Sequence, residues 1–170
     1  GPGKAYESIG DVQFESLAAG DTVRIFWRAD HYHEKLMIGG VGTAEQPIRG
    51  CGVPGPSGEL PVIDGENATT RPTLQFPYDG HQRRGLIIIG HEHDAPYAEQ
   101  PSHITLEGLE IINASPENSY TAKNGSVDTY TDSAAGVFVQ RGDDIVVRGN
   151  IIHDNNKGLF MRTGGSTHLS

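Results

Sequence analysis

The chain has 170 residues, 35% of them hydrophobic, and its 13 Lys and Arg against 22 Asp and Glu give a formal net charge of −9. This length is typical of a single domain, and no apolar stretch is long enough to form a transmembrane span. The negative charge, spread without long blocks of one sign, argues against general binding to nucleic acid or to anionic membranes. Cys51 is the only cysteine, which excludes an intrachain disulfide.

Residues 1–20 are predicted to form an N-terminal cap. Their apolar residues are spaced loosely enough for a short helix or an irregular segment. A fold of stacked strands needs such a cover over its first strands, because bare strand edges and a bare core promote aggregation.

Residues 21–84 contain short apolar runs divided by glycine-rich turns, and we expect irregular first coils of a repeat fold here. The segments Ala19-Gly20-Asp21-Thr22-Val23, Gly42-Thr43 with Pro47-Ile48, and Pro61-Val62-Ile63-Asp64-Gly65 resemble the opening coil of right-handed parallel β-helix proteins. Within that group, the opening is similar to that of secreted polysaccharide lyases of the chondroitinase B and alginate lyase type. The resemblance implies an all-β, right-handed single-stranded parallel β-helix (solenoid), a secreted or cell-surface location and a polysaccharide partner.

Residues 85–170 are predicted to form regular coils, because a Gly-apolar-x-apolar strand recurs at 85–90, 136–141 and 158–163. A second apolar segment recurs at 104–113 and 145–154, so two kinds of strand alternate. The step from Gly136 to Gly158 is 158 − 136 = 22 residues, which fits one turn of a β-solenoid. β-branched residues dominate these strands, which favours an all-β fold.

The glycine-led strands are expected to form one sheet with an inner and an outer face. Strict alternation predicts the following interior residues: Leu86, Ile88, Val137, Val139, Leu159 and Met161. It turns Ile87, Phe138 and Phe160 outward, with the two phenylalanines stacked one coil apart. That pair would either offer an exposed aromatic ladder to sugar rings or be covered by the segment 115–133.

Two insertions, 91–101 and 115–133, interrupt the repeat and are expected to flank the glycine-led sheet. On a regular scaffold such loops are better functional candidates than the repeat itself. We therefore predict a groove between them that binds substrate. Its candidate substrate-binding residues are Phe138, Phe160, Gln140, Tyr120 and Tyr130.

The densest group of potential metal ligands is His91, His93 and Asp94, in the first insertion. Two imidazoles and a carboxylate suit zinc or another divalent transition metal more than calcium. A solvated loop rich in His and Asp is the alternative. His31 and His33 form a second His-x-His pair in the first coil.

The resemblance to polysaccharide lyases implies a lysine base beside an arginine or cation that neutralises a uronate carboxylate. Lys157 and Arg162 are the candidates on or beside the glycine-led sheet, and solvation of the surface is their alternative role. Asp143-Asp144 invites comparison with the paired carboxylates of pectin hydrolases, but a turn role is favoured because the pair precedes a strand.

The sequence reaches Ser170 in the middle of a predicted coil. We expect either that further C-terminal coils follow or that another chain makes end-to-end contact with this edge. Three functions remain open at this point: a lyase or hydrolase of acidic glycans, a non-catalytic carbohydrate-binding or adhesive surface protein, and a structural self-assembling β-solenoid.

Overall fold

The computed structural model describes residues 6–91 and 100–162, and they form an all-β protein. Three short 3₁₀ helices are also present, at Ile9–Asp11, Phe14–Ser16 and Asp79–Arg83. The strands are, in chain order, β1 Thr22–Phe26, β2 Leu36–Ile38, β3 Ile48–Val53, β4 Val62–Asp64, β5 Ala68–Thr69, β6 Gly85–Ile89, β7 Ser102–Glu107, β8 Glu110–Ile112, β9 Ser119–Thr121, β10 Val127–Thr129, β11 Ala135–Val139, β12 Asp143–Arg148, β13 Ile151–Ile152 and β14 Lys157–Met161.

The strands assemble into four sheets. Sheet I has the order β1-β3-β7-β12, sheet II β4-β8-β13, sheet III β2-β6-β11-β14 and sheet IV β5-β9-β10. Every pairing in sheets I to III is parallel, whereas β9 and β10 form an antiparallel hairpin that β5 joins in parallel. The prediction of an all-β fold is confirmed, and sheet III is the sheet of glycine-led strands.

The chain visits sheets I, II and III in the same order each time, and we call one such passage a circuit. The second circuit is β3, β4 and β6, the third is β7, β8 and β11, and the fourth is β12, β13 and β14. In the first circuit, β1 and β2 belong to sheets I and III, and Tyr32 bridges to Ile63 beside sheet II. Each new strand lies next to its counterpart in the preceding circuit.

This stacking lines up apolar side chains along the interior. In sheet III, Leu36, Ile87, Val137 and Leu159 occupy matching positions on successive strands and belong to the main apolar cluster. In sheet II, Ile63 pairs with Ile111 in the same way. Full burial of one such side chain stabilises the folded state by about 1.5–3 kcal/mol, so these columns are the main source of cohesion between circuits.

The predicted register is correct for β11 and β14, where Phe138 pairs with Phe160, but wrong for β6. Gly85 pairs with Ala135 instead of Gly136, which moves the strand by one residue. Because strand side chains alternate, Ile87 lies in the interior and Ile88 on the outer face, the reverse of the prediction. Leu86 is in the interior, as predicted.

Asparagine side chains of the fourth circuit bond back to turns of the third. Asn150 accepts from the Leu109 N–H and donates to the Leu106 carbonyl, each at 2.9 Å. Asn155 accepts from the Ala114 N–H at 2.8 Å and donates to the Ile111 carbonyl at 2.9 Å. These bonds satisfy backbone groups that the turns would otherwise leave unpaired.

The segment before β1 packs against the interior at its first-circuit end. Phe14 is 2% exposed and belongs to the main apolar cluster. Arg71 donates to the carbonyls of Gly10 and Val12, at 3.2 and 3.1 Å, and forms an ion pair with Glu15. None of the helices in the described ranges is long and apolar enough to cross a membrane.

Candidate functional site

The outer face of sheet III carries a row of apolar side chains, one from each strand. Met37, Ile88 and Phe138 are paired in register and buried, and Phe160 extends the row as a partly buried member. The rings of Phe138 and Phe160 are stacked, with centroids 5.6 Å apart and an angle of 15° between their planes. The expected stacking is therefore observed, although Phe138 has no exposed surface.

Residues 71–84 cover this row. Leu74 and Phe76, each 2% exposed, pack onto Met37, Ile88 and Phe138 as a second apolar cluster. The sequence predicted that residues 115–133 would provide any such cover, and that prediction is wrong. The alternating apolar residues Leu74, Phe76 and Tyr78, which have no place in the repeat, were the available signal.

His81 stands at the edge of the cover, against Phe138. Its ring makes edge contacts with Phe138 and Tyr78, with centroid distances of 5.5 and 5.0 Å. The side chain is buried and its Nδ1 has no hydrogen-bond partner among the described residues. Burial, with the nearby positive charges of Arg84 and Arg162, lowers the pKa of His81 to about 4. The imidazole is therefore neutral at physiological pH.

Two arginines and a glutamine border the same face. The Arg84 guanidinium lies 5.6 Å from the centroid of Phe138. Arg162 follows β14, is exposed, and is one step beyond the Val139–Met161 pair, beside Gln140. Gln140 is 6% exposed and its Oε1 has no partner among the described residues. Neither guanidinium has a carboxylate partner in the described part of the chain, so the outer face of sheet III is cationic.

The structure does not bring Lys157 and Arg162 together. Lys157 begins β14 and donates from Nζ to the Asp132 carbonyl at 2.9 Å, whereas Arg162 follows the end of the strand. Five residues of extended chain separate them by about 16 Å. Of this predicted pair, only Arg162 lies beside Gln140 and His81.

Tyr120 and Tyr130 lie in the interior, away from the outer face of sheet III. They are 1% and 2% exposed, and their rings lie 4.9 Å apart. Each ring centroid is 4.2 Å from Nζ of Lys35, which donates to the Gly85 carbonyl. Burial lowers the pKa of Lys35 well below its usual value, and Asp128 partly opposes this. The two tyrosines enclose a buried lysine because the β9–β10 hairpin pairs with β5 and turns them inward; in this position they cannot touch a ligand on the surface.

The outer face of sheet I has a different charge arrangement. Glu107 forms ion pairs with Arg148 at 2.8 Å and Arg49 at 3.8 Å. Cys51 donates its thiol to Glu107 at 3.3 Å, and burial, together with this carboxylate, raises the pKa of Cys51 to about 11. The thiol is therefore protonated at physiological pH and unsuited to nucleophilic chemistry.

The described residues include one group that could hold a metal ion: His31, His33 and Asp64. Each offers one ligand atom, and these atoms lie within 4.8 Å of one another. Of the predicted loop ligands, His93 and Asp94 lie outside the described residues, and His91 lies 3.3 Å from the Arg141 guanidinium. The sequence noted the His31–His33 pair but missed Asp64, which is distant in sequence.

Asp143 and Asp144 open strand β12. Asp144 has a positive φ of 50° and pairs with His103, whose φ is 49°, at 3.4 Å. A left-handed backbone at the start of a strand is typical of the turn role that the sequence favoured.

No protein-family model, curated protein or solved structure matches this chain. The interpretation of both candidate sites therefore depends on their own geometry and chemistry.

Proposed function

We propose that the circuits are coils of a right-handed parallel β-helix that binds an acidic polysaccharide at the part of the outer sheet III face that residues 71–84 leave uncovered, beside Phe160. The β-helix is supported by the constant order in which the chain visits sheets I, II and III. The right hand is supported by the strong preference for right-handed crossovers between parallel strands of one sheet. The resemblance of the opening segments to β-helix polysaccharide lyases points the same way and implies a secreted or cell-surface site of action.

The observation that carries the binding proposal is the pair of guanidinium groups, Arg84 and Arg162, without carboxylate partners in the described part of the chain. A uronate carboxylate accepts charge-assisted hydrogen bonds from guanidinium donors, which are stronger than neutral ones. Sugar hydroxyls can also accept from the same guanidinium groups. The partnerless Gln140 Oε1 and His81 Nδ1 are buried and are not counted as contacts to the glycan.

The aromatic row supplies the apolar part of the proposed site. Phe160 is partly exposed and rests on the buried Phe138, so its free face is held at a fixed orientation. The apolar face of a sugar ring can pack against it while its carboxylate meets Arg162. A cation is not part of this proposal, because the group that could hold one among the described residues lies beside sheet II.

The test compares glycan binding by three variants of the whole chain. Arg84→Ala and Arg162→Ala remove the unpaired guanidiniums, and Arg148→Ala removes a paired one from sheet I as a matched control. We expect each of the first two to weaken binding to alginate, polygalacturonate or chondroitin sulfate by about tenfold, the value of one hydrogen bond to a charged group. Calorimetry measures the affinity, and dextran serves as the neutral glycan. Equal losses in all three variants would contradict the proposal.

A lyase is the second candidate, and the observation that favours it is the neutral His81 near Arg162. Elimination requires a base that removes the proton beside a uronate carboxylate whose charge is neutralised. A pKa of about 4 makes His81 a weak base, which is why binding is the first proposal. A rise in ultraviolet absorbance from unsaturated product, lost in His81→Gln, would support the lyase. Retained binding without that rise would support the binding protein.

A further inference from the structure

We propose that His31, His33 and Asp64 form a binding site for a divalent transition metal of the zinc class. The site is independent of the proposed glycan-binding face, because it lies beside sheet II and shares no residue with that face. The three side chains come from two circuits that the backbone joins directly. The Tyr32 N–H donates to the Val62 carbonyl at 2.9 Å, and the Asp64 N–H donates to the Tyr32 carbonyl at 2.8 Å.

The backbone pattern explains why the two histidines converge. Tyr32 points into the interior and is 8% exposed. In extended chain the residues on either side of an inward residue point outward together, so His31 and His33 share one side. Their rings are roughly stacked, with centroids 6.1 Å apart. The parallel pairing then puts Asp64 next to both.

Hydrogen bonds already hold two of the ligands in orientation. Asp64 accepts at Oδ1 from Asn113 Nδ2 at 2.8 Å and from the Glu66 N–H at 2.9 Å. His33 donates from Nδ1 to the Glu66 carbonyl at 2.7 Å, which leaves its Nε2 lone pair free for a metal. Metal-binding histidines and carboxylates are characteristically fixed by such outer contacts.

The hydrogen bond between His31 and Asp64 lies where a metal would sit. His31 Nδ1 donates to Asp64 Oδ2 at 2.8 Å. Two ligand atoms at usual zinc distances and a tetrahedral angle are about 3.3 Å apart, so the pair needs to open by only about 0.5 Å. The metal replaces the proton of this hydrogen bond, and that proton passes to solvent.

The ligand types and exposure define the class of ion. Two imidazoles and one carboxylate suit zinc, cobalt or nickel, whereas calcium and magnesium prefer oxygen ligands. Asp64 supplies the negative charge: burial alone would raise its pKa, but hydrogen bonds from His31, Asn113 and Glu66 lower it overall. The His31 side chain is 40% exposed. A water can therefore complete a four-coordinate site that is open on one side.

The experiment titrates Zn²⁺ into the whole chain by calorimetry, with Co²⁺ absorption reporting the coordination geometry. We expect one site with micromolar or tighter affinity, tetrahedral Co²⁺ bands and no comparable binding of Ca²⁺ or Mg²⁺. His33→Ala should weaken Zn²⁺ binding at least tenfold, and His31→Ala should do the same. His33 is exposed and makes one side-chain hydrogen bond, so the variant is expected to fold.

Two controls make the outcome decisive. His153→Ala removes another exposed histidine beside carboxylates, and Zn²⁺ affinity should stay unchanged. His91→Ala combined with His93→Ala removes the histidines of the loop that the sequence singled out, and binding should again persist. The proposal is overturned if the wild-type chain binds no Zn²⁺, if His33→Ala binds with wild-type affinity, or if the loop variant alone loses the site.

Discussion

Sheets I and III present outer faces built in the same way but with opposite treatment of charge. On sheet I, Glu107 lies between Arg49 and Arg148 and pairs with both. On sheet III, Arg84 and Arg162 border an aromatic row without a carboxylate partner in the described part of the chain. Parallel strands in register generate both faces, so the difference comes from their side chains and from the cover of residues 71–84, which lies on sheet III and ends with Arg84. Arg24 also lies exposed on the sheet I face and has no ion pair among the described residues, so the contrast concerns the charges around Glu107. Those charges are already paired, whereas Arg84 and Arg162 are available to an anionic ligand.

The two faces also differ in packing, and this difference predicts the largest effect. Phe138→Ala removes a fully buried ring from the apolar cluster that contains Ile88 and Phe76. We expect it to lower the free energy of unfolding by about 3–5 kcal/mol, as for other buried phenylalanines. Urea denaturation measures this. Arg148→Ala on sheet I is the control and should cost no more than about 1 kcal/mol. If Phe138→Ala cost less than about 1 kcal/mol, residues 71–84 would not pack on the apolar row.

A carboxylate on sheet III should make it resemble sheet I. Gln140→Glu adds a negative charge beside Arg162, as Glu107 does beside Arg148. We expect affinity for alginate or polygalacturonate to fall by about tenfold, or about 1.4 kcal/mol, because the new carboxylate competes with the ligand for the guanidinium. Calorimetry measures the affinity, and Gln140→Asn is the uncharged control. Unchanged affinity in the glutamate variant would show that the ligand does not use Arg162.

Low pH should lower the free energy of unfolding through His81, which lies at the outer face of sheet III. The pKa of His81 falls from an ordinary 6.5 to about 4 on folding, so the unfolded chain binds the proton more tightly. Stability is therefore complete above about pH 6.5 and declines as the pH falls towards 4. After a discount for solvent screening, we expect a loss of about 1–2 kcal/mol. Urea denaturation between pH 7.5 and 4 measures it, and His81→Gln should flatten the decline.

His153 supplies a control of opposite sign for that experiment. Hydrogen bonds to Glu110 and Asp154 raise its pKa on folding. Its contribution is present at acid pH and disappears as the pH rises through the raised value. His153→Gln should therefore leave the acid decline intact. If the acid decline in stability persisted in His81→Gln and disappeared in His153→Gln, His153 and not His81 would be its cause.

The smallest effect is expected from unpairing the charges of sheet I. Glu107→Gln leaves Arg49 and Arg148 without their carboxylate and should change stability by less than about 1 kcal/mol, as is usual for exposed ion pairs. It should also increase retention on an acidic-glycan affinity gel by a few fold, because two guanidiniums become available. Cys51→Ala is the control, since it contacts Glu107 but leaves the ion pairs in place. No gain in retention would mean that unpaired arginines alone do not make a glycan-binding face.

The repeated strands could be predicted from the sequence, whereas contacts made outside the repeat could not. The spacing of Gly136 and Gly158 predicted the pairing of Phe138 with Phe160, because two strands of equal length follow two equal glycines. The same argument failed at Gly85, which pairs with Ala135. A glycine has no side chain to pack, so it does not determine register. The register is determined by the packing of Ile87 and Ile89 in the interior. Because residues 87–89 are all isoleucine, the sequence does not show which of them point inward.

The candidate sites depend on contacts between residues far apart in sequence. Arg162 and Gln140 were predicted because both continue glycine-led strands on the outer face. His81 and Arg84 were not, since the cover formed by residues 71–84 has no counterpart in other circuits. Asp64 joins His31 and His33 only through the pairing of Tyr32 with Ile63. A short isolated bridge of this kind leaves no periodic pattern in the sequence.

The backward hydrogen bonds of Asn150 and Asn155 give the molecule an order of assembly. A turn of the third circuit obtains partners for its peptide groups only when the fourth has been laid beside it. During synthesis the fourth circuit would thus complete the hydrogen bonds of the third. Asn150→Ala should therefore increase the rate of amide hydrogen exchange at Leu109, which lies earlier in the sequence. The fourth circuit therefore stabilises turns that precede it in the sequence.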